Sequence, residues 1–131
     1  MKRWLIWMGF VVAWTIALEM PFKDPGALPG GEFIVTNRML VTKSLHVAVY
    51  VVMTALSGWV PMPARYRWLM MFFLMIHATG SELLQDAMKS QFHRTGELRD
   101  VGFDNLGILI GVILSWKWWT RPDTEPPRNQ G

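Results

Sequence analysis

The chain has 131 residues, fewer than two typical domains need, so a single compact unit is expected. Hydrophobic residues make up 51% and charged residues 18%, with 10 Met and 8 Trp, which argues against disorder and fits poorly with a small soluble domain. The absence of Cys excludes disulfides, thiolate metal sites and a catalytic thiol. The net charge is +3, but the basic residues are scattered between apolar runs, so we expect no nucleic-acid partner.

Four apolar stretches of near-bilayer length follow one another along the chain. A transmembrane helix needs about 20 mostly apolar residues. The stretches cover residues 4–18, 40–60, 68–88 and 101–119. They predict an all-α, polytopic membrane protein, a bundle of four transmembrane helices in one domain over residues 1–119. The Pro-rich, charged residues 120–131 predict a disordered tail.

The first apolar stretch and the segment after it define the predicted topology. Lys2 and Arg3 resemble the start of a secretory signal, but no small-residue cleavage pattern follows, so we expect a retained helix. Residues 19–37 are rich in Pro and Gly, which predicts a long external loop or a re-entrant turn. Basic residues slightly favour cytoplasmic N- and C-termini. The predicted location is therefore the cytoplasmic membrane.

Tryptophan marks one end of the predicted bundle. If the spans alternate in direction, seven of the 8 Trp residues fall at the same membrane face, where Trp rings prefer the headgroup level. These are Trp4, Trp7, Trp59, Trp68, Trp116, Trp118 and Trp119. The Trp face therefore serves as a reference height for residues deeper in the bilayer.

Ionisable residues from all four stretches reach one common height above the Trp face. Glu19, His46, Glu82 and Asp104 each lie about 12–14 residues from a Trp of that face, which is roughly 18–21 Å along a helix. Ionisable groups inside a membrane are costly and usually functional. We therefore expect a functional cluster in the far leaflet.

Further polar residues share helix faces with this layer, since residues three or four apart lie on one face. The predicted cluster consists of Lys43, His46, Tyr50, Glu82, Gln85, Asp100 and Asp104 on the helices, together with Arg94 in the loop between the third and fourth helices, which closes over the same face. Below the two aspartates, Gly107 and Gly111 form a small-residue stripe that predicts close helix packing within the chain. We interpret His77 as a helix-packing histidine beside Ser81 and not as a ligand.

The order and spacing of these residues resemble the VanZ-like family of small bacterial membrane proteins. The matching motifs are Lys43-x-x-His46-x-x-x-Tyr50, Glu82-x-x-Gln85, Arg94, and Asp100 with Asp104, Gly107 and Gly111, over roughly half the chain. The family often has Asn where Asp104 stands. The resemblance implies a multi-helix protein of the bacterial cell envelope associated with resistance to the glycopeptide antibiotic teicoplanin. It implies no particular reaction.

The first functional hypothesis is that the protein binds or modulates a cell-envelope component at the outer leaflet. Lys43, His46 and Arg94 would donate hydrogen bonds to an anionic group, for which Arg and Lys are suited. The carboxylates and the amide of the cluster would orient these donors. Lipid-linked cell-wall precursors carry phosphates and carboxylates, so they are the expected partners, together with the lipid bilayer itself.

Three alternatives remain open. In an intramembrane enzyme acting on a lipid-linked substrate, His46 would be the general base and Glu82 or Asp104 the acid or orienting carboxylate, with or without a divalent metal. No helix carries a His-Glu-x-x-His signature, so we assign no metal and no cofactor. A small proton-coupled transporter component would use the same buried carboxylates. A purely structural membrane protein would use the polar residues only to hold helices together.

Overall fold

A computed structural model describes residues 1–19, 36–87 and 98–122, and almost all of these residues are helical. The helices are α1 (Lys2–Glu19), α2 (Arg38–Trp59), α3 (Ala64–Ala87), α4 (Leu98–Leu114) and α5 (Trp116–Trp119). The predicted all-α class is confirmed. The predicted external loop, apart from its edges, lies outside the described residues, as do the connection between α3 and α4 and the tail beyond residue 122.

Two of the differences between the helices and the predicted apolar stretches have a clear local cause. Helix α3 begins a turn earlier, at Ala64, because Pro63 favours a helix start and its carbonyl accepts a hydrogen bond from the Tyr66 amide at 2.9 Å. The fourth stretch is divided at Ser115, between α4 and α5. The Ser115 hydroxyl donates to the carbonyl of Gly111, a contact that bends helices.

Helices α1 and α2 run antiparallel. The Trp7 indole donates to the Ser57 hydroxyl at 2.7 Å near the end of α2. Further along α1, the Trp14 ring lies against the His46 ring in the first half of α2, with centroids 6.2 Å apart. Rising residue numbers in α1 therefore meet falling numbers in α2, as the alternating topology requires.

Helix α3 reverses direction again relative to α2. The Tyr50 hydroxyl lies 3.0 Å from Nδ1 of His77, and His46, one turn earlier on α2, lies beside Glu82, further along α3. Helix α2 contacts each of the other described helices, so it forms the centre of the bundle. The chain thus passes up and down through one bundle.

Helices α2 and α4 are parallel and share the most extensive contact among the described helices. A Cβ atom added to Gly107 would lie 2.6 Å from the backbone oxygen of Val47, and one added to Gly111 would lie 2.6 Å from Cβ of Thr54. Residue numbers rise together along both helices. Only glycine allows the backbones to approach this closely, so the two helices are held in a defined register.

The interior of the described bundle is mixed in polarity, and many large apolar side chains are exposed. Among the described residues, the buried set comprises ten hydrophobic and ten polar or charged side chains. Large apolar side chains point outward on all four long helices, as shown by Leu5 (66% exposed), Leu40 (65%), Phe72 (62%) and Leu109 (57%). A water-soluble helix would turn such residues toward the core.

One helix in the described part of the chain is by itself long and apolar enough to cross a membrane, over Met39–Trp59 of α2. Helix α1 has 18 residues and carries charges at both ends, at Lys2, Arg3 and Glu19. Helix α4 has 17 residues before the break at Ser115. By length and composition, α2 is the candidate membrane span.

Candidate functional site

Three side chains from three helices meet in the interior of the bundle. Nδ1 of His46 on α2 lies 2.8 Å from Oδ1 of Asp104 on α4 and 3.8 Å from Oε1 of Glu82 on α3. The residues are 5%, 0% and 2% exposed, respectively. One nitrogen or oxygen of each lies within 4.8 Å of those of the other two. We call His46, Glu82 and Asp104 the central triad.

A second charged pair lies about one turn away, toward the N-terminal ends of α2 and α4. The ammonium group of Lys43 forms an ion pair with the carboxylate of Asp100. Both side chains are largely buried, and Lys43 Nζ also lies 5.5 Å from the centre of the Phe103 ring. Two acidic residues of α4, Asp100 and Asp104, are therefore each matched to a basic residue of α2.

The remaining predicted site residues lie in different places. Gln85 is buried one turn beyond Glu82 on α3, and its Nε2 has no hydrogen-bond partner among the described residues. Tyr50 is fully buried but lies one turn below the triad, where it contacts His77. Arg94 lies outside the described residues, so its predicted role as a donor stays a prediction.

Tyr50 belongs to a second polar layer. The Thr15 hydroxyl donates its single proton to the carbonyl of Val11 at 2.8 Å, so it can only accept from Nε2 of His77, 2.9 Å away. Nδ1 of His77 then accepts from the Tyr50 hydroxyl at 3.0 Å. Both ring nitrogens are satisfied by one neutral tautomer, and the layer connects α1, α2 and α3.

The interpretation of His77 as a helix-packing histidine agrees with these contacts, but the sequence analysis placed it beside Ser81, did not consider Thr15 and so missed the layer. A signal was present. Thr15, Tyr50 and His77 each lie about eight or nine residues from a Trp of the Trp face, which is roughly 12–14 Å along a helix. Counting residues from the Trp face, which predicted the common height of the triad, would have grouped Thr15, Tyr50 and His77 as well.

Arginines close the opposite end of the bundle. Arg67 is 3% exposed, and its guanidinium donates to the carbonyls of Trp119 at 2.9 Å and Met62 at 3.3 Å. Arg3 donates to the carbonyl of Trp59 at 3.3 Å and lies over the Trp59 ring. The last carbonyls of a helix have no partner within the helix and favour a nearby cation. These contacts give Arg3 and Arg67 a structural role at the Trp face.

Chemically, the triad offers one imidazole and two carboxylates in an enclosed space, and the Lys43–Asp100 pair adds a charged group beside it. Such groups can hold a cation, move a proton or orient a polar ligand.

Comparison with known proteins adds nothing further, because no family model, curated protein or solved structure matches this sequence.

Proposed function

We propose that the chain is a polytopic protein of the cytoplasmic membrane whose four long helices cross the bilayer. The apolar exterior and the polar interior support this topology, because a membrane favours helices that turn ionisable groups toward one another. Helices α4 and α5 together would provide the length that α4 lacks alone. Both termini would then lie on the cytoplasmic side, with the triad in the outer leaflet.

We further propose that the protein binds an anionic, lipid-linked molecule of the cell envelope. The observation that carries this proposal is a groove of about 730 Å³ between α2 and α4, within the size range of ligand sites. Its walls are mostly apolar, with Leu40, Val47, Phe103 and Leu106 among them, and Lys43 also lines it. Lys43, which is ion-paired with Asp100, lies beside this apolar surface, and the arrangement suits a hydrocarbon chain with an anionic head.

Charge gives the ligand its expected orientation. The groove begins at Thr36, just before α2, and follows α2 as far as Ala48, so its first residues lie nearer the proposed membrane surface than its last. An anionic head would contact Lys43, whose ammonium group is a strong donor to phosphate. The chain would lie deeper, against Val47 and Leu106. Behind the groove, the contact between His46 and Asp104 holds α2 against α4 and keeps the groove walls in place.

The resemblance to VanZ-like proteins supports a cell-envelope ligand. We therefore extend the proposal to a change in sensitivity to teicoplanin in cells that produce the protein. The motif that resembles the family includes Lys43, which lines the groove, and Asp100, which pairs with Lys43.

The first experiment blocks the groove. Ala48 is exposed and lines it, whereas Leu45 is exposed on α2 outside it, so Ala48→Phe and Leu45→Phe form a matched pair. Each purified variant is placed in lipid nanodiscs, and binding of a long-chain polyprenyl diphosphate is measured. We expect at least about tenfold weaker binding for Ala48→Phe, equivalent to 1.4 kcal/mol. Equal binding by both variants would contradict the proposal.

The second experiment removes the cation. Lys43→Gln alone would leave a buried carboxylate without its partner, so it is combined with Asp100→Asn to remove both charges together. The control is Lys117→Gln, which lies at the opposite end of the bundle. The double variant should lose binding of the diphosphate but keep binding of the uncharged polyprenol. If the double variant also fails to bind the polyprenol, recognition of the head group by Lys43 is contradicted.

An intramembrane enzyme is the second candidate, favoured by the contact between His46 and Asp104. A carboxylate at Nδ1 orients the ring and strengthens Nε2 as a general base, which could activate water toward a diphosphate. The products would be inorganic phosphate and the monophosphate. Phosphate release by the wild type that is lost in His46→Gln, with binding retained, would favour this candidate over simple binding.

A further inference from the structure

The central triad has the composition of a metal site. We propose that His46, Glu82 and Asp104 bind one divalent transition-metal ion, for which Zn²⁺ is the best fit. The three donors come from three helices, and one donor atom from each lies within 4.8 Å of the others. This inference goes beyond ligand binding in the groove and does not depend on it.

The distances between the donors match those around a small cation. Zn²⁺ binds imidazole nitrogen and carboxylate oxygen at about 2.0–2.2 Å, so neighbouring ligands of a tetrahedral ion lie roughly 3.4 Å apart. The distances from His46 Nδ1 are 2.8 Å to Asp104 and 3.8 Å to Glu82, one shorter and one longer than this value. The donor atoms of Glu82 and Asp104 lie within 4.8 Å of each other, so binding one ion requires the carboxylates to move toward it.

Asp104 supplies an independent reason to expect a cation. Its carboxylate is fully buried, and Oδ2 has no hydrogen-bond partner among the described residues. A buried acceptor that lacks a donor is unfavourable, and such atoms in native proteins call for an unseen ion or water. A metal ion bound by Asp104 would satisfy this oxygen. It would replace the proton that Nδ1 of His46 otherwise shares with the carboxylate.

The donor types select the kind of ion. One imidazole with two carboxylates suits Zn²⁺ and its transition-metal neighbours, whereas Mg²⁺ and Ca²⁺ prefer oxygen ligands alone. The triad supplies three ligands, and a three-ligand Zn²⁺ site keeps a position open for water or another group. Because the ligands lie on α2, α3 and α4, the ion would also tie these helices together.

The test is the metal content of the full chain, purified in detergent without chelator and then dialysed against Zn²⁺. We expect about one Zn²⁺ per chain, as for a three-ligand site, and a rise in Tm on adding Zn²⁺ that saturates at the same ratio. Asp104→Asn keeps the shape of the side chain. Asp104→Asn and His46→Gln, each made alone, should abolish Zn²⁺ binding. His77→Gln is the control, since it removes an imidazole that lies outside the triad.

Substitution of Co²⁺ provides a readout that does not require a variant. Tetrahedral Co²⁺ bound by the triad should produce visible absorption bands, and added Zn²⁺ should abolish them. Wild-type protein with neither metal nor bands would overturn the inference, and so would binding that His77→Gln reduces as much as His46→Gln does. Ala48→Phe should retain the metal in full. Loss of lipid binding and loss of metal binding can therefore be told apart.

Discussion

The contact between His46 and Asp104 should make a measurable and non-additive contribution to stability. The two atoms lie 2.8 Å apart, and Asp104 has no exposed surface. Replacing His46 by Leu leaves a buried carboxylate without this partner, so we expect a loss of about 3 kcal/mol or more in the free energy of unfolding. Asp104→Asn retains a neutral hydrogen bond and should cost about 1–2 kcal/mol.

The double variant removes the contact and the charge together. It should therefore be more stable than the sum of the single losses indicates, by about 0.6–1.7 kcal/mol, the range from the mean to the largest coupling measured for hydrogen-bonded pairs in a membrane protein. Unfolding in mixed micelles, followed by circular dichroism without added metal, measures all three variants. Additivity within about 0.3 kcal/mol, the behaviour of independent sites, would refute the reasoning.

Two further predictions concern packing. Gly111→Ala should destabilise the protein by about 1–3 kcal/mol, because the new methyl group meets α2, whereas Gly102→Ala has open space and should gain about 0.5–1 kcal/mol as a helix interior residue. Thermal unfolding of both variants checks the opposite signs, and equal shifts would contradict the close helix packing. Trp7→Phe removes the 2.7 Å hydrogen bond to Ser57 and should cost about 0.5–1.5 kcal/mol. Trp68→Phe, at a 68% exposed position, should change stability by less than about 0.5 kcal/mol, so a larger loss there than at Trp7 would count against the assigned contacts.

The helical class could be predicted from the sequence because apolar runs of bilayer length are typical of membrane-spanning helices. Counting from the Trp face predicted a common height for His46, Glu82 and Asp104, and the structure brings these three side chains together. The position of a residue along a helix axis depends only on the rise per residue, so it can be calculated from the sequence alone. Glu19, the fourth member of that layer, lies at the edge of the described residues, and its side chain is outside them.

The pairing within the layer could not be predicted, because the count contains no information on how each helix is rotated or which helices are neighbours. Lys43 pairs with Asp100 and His46 with Asp104 because α2 and α4 run parallel in a register set by Gly107. That register depends on contacts between distant parts of the chain. For the same reason, no local motif indicated a metal site.

The most direct test of the membrane-embedded bundle uses single cysteines, because the natural chain contains none. An impermeant maleimide is added to intact cells and then to permeabilised cells. Thr36→Cys should react from outside. Ala64→Cys, Thr120→Cys and a cysteine inserted after Met1 should react only after permeabilisation, and Leu109→Cys only after denaturation. Labelling of Thr36→Cys and Ala64→Cys from the same side, or rapid labelling of Leu109→Cys in intact cells, would contradict a bundle that crosses the bilayer four times.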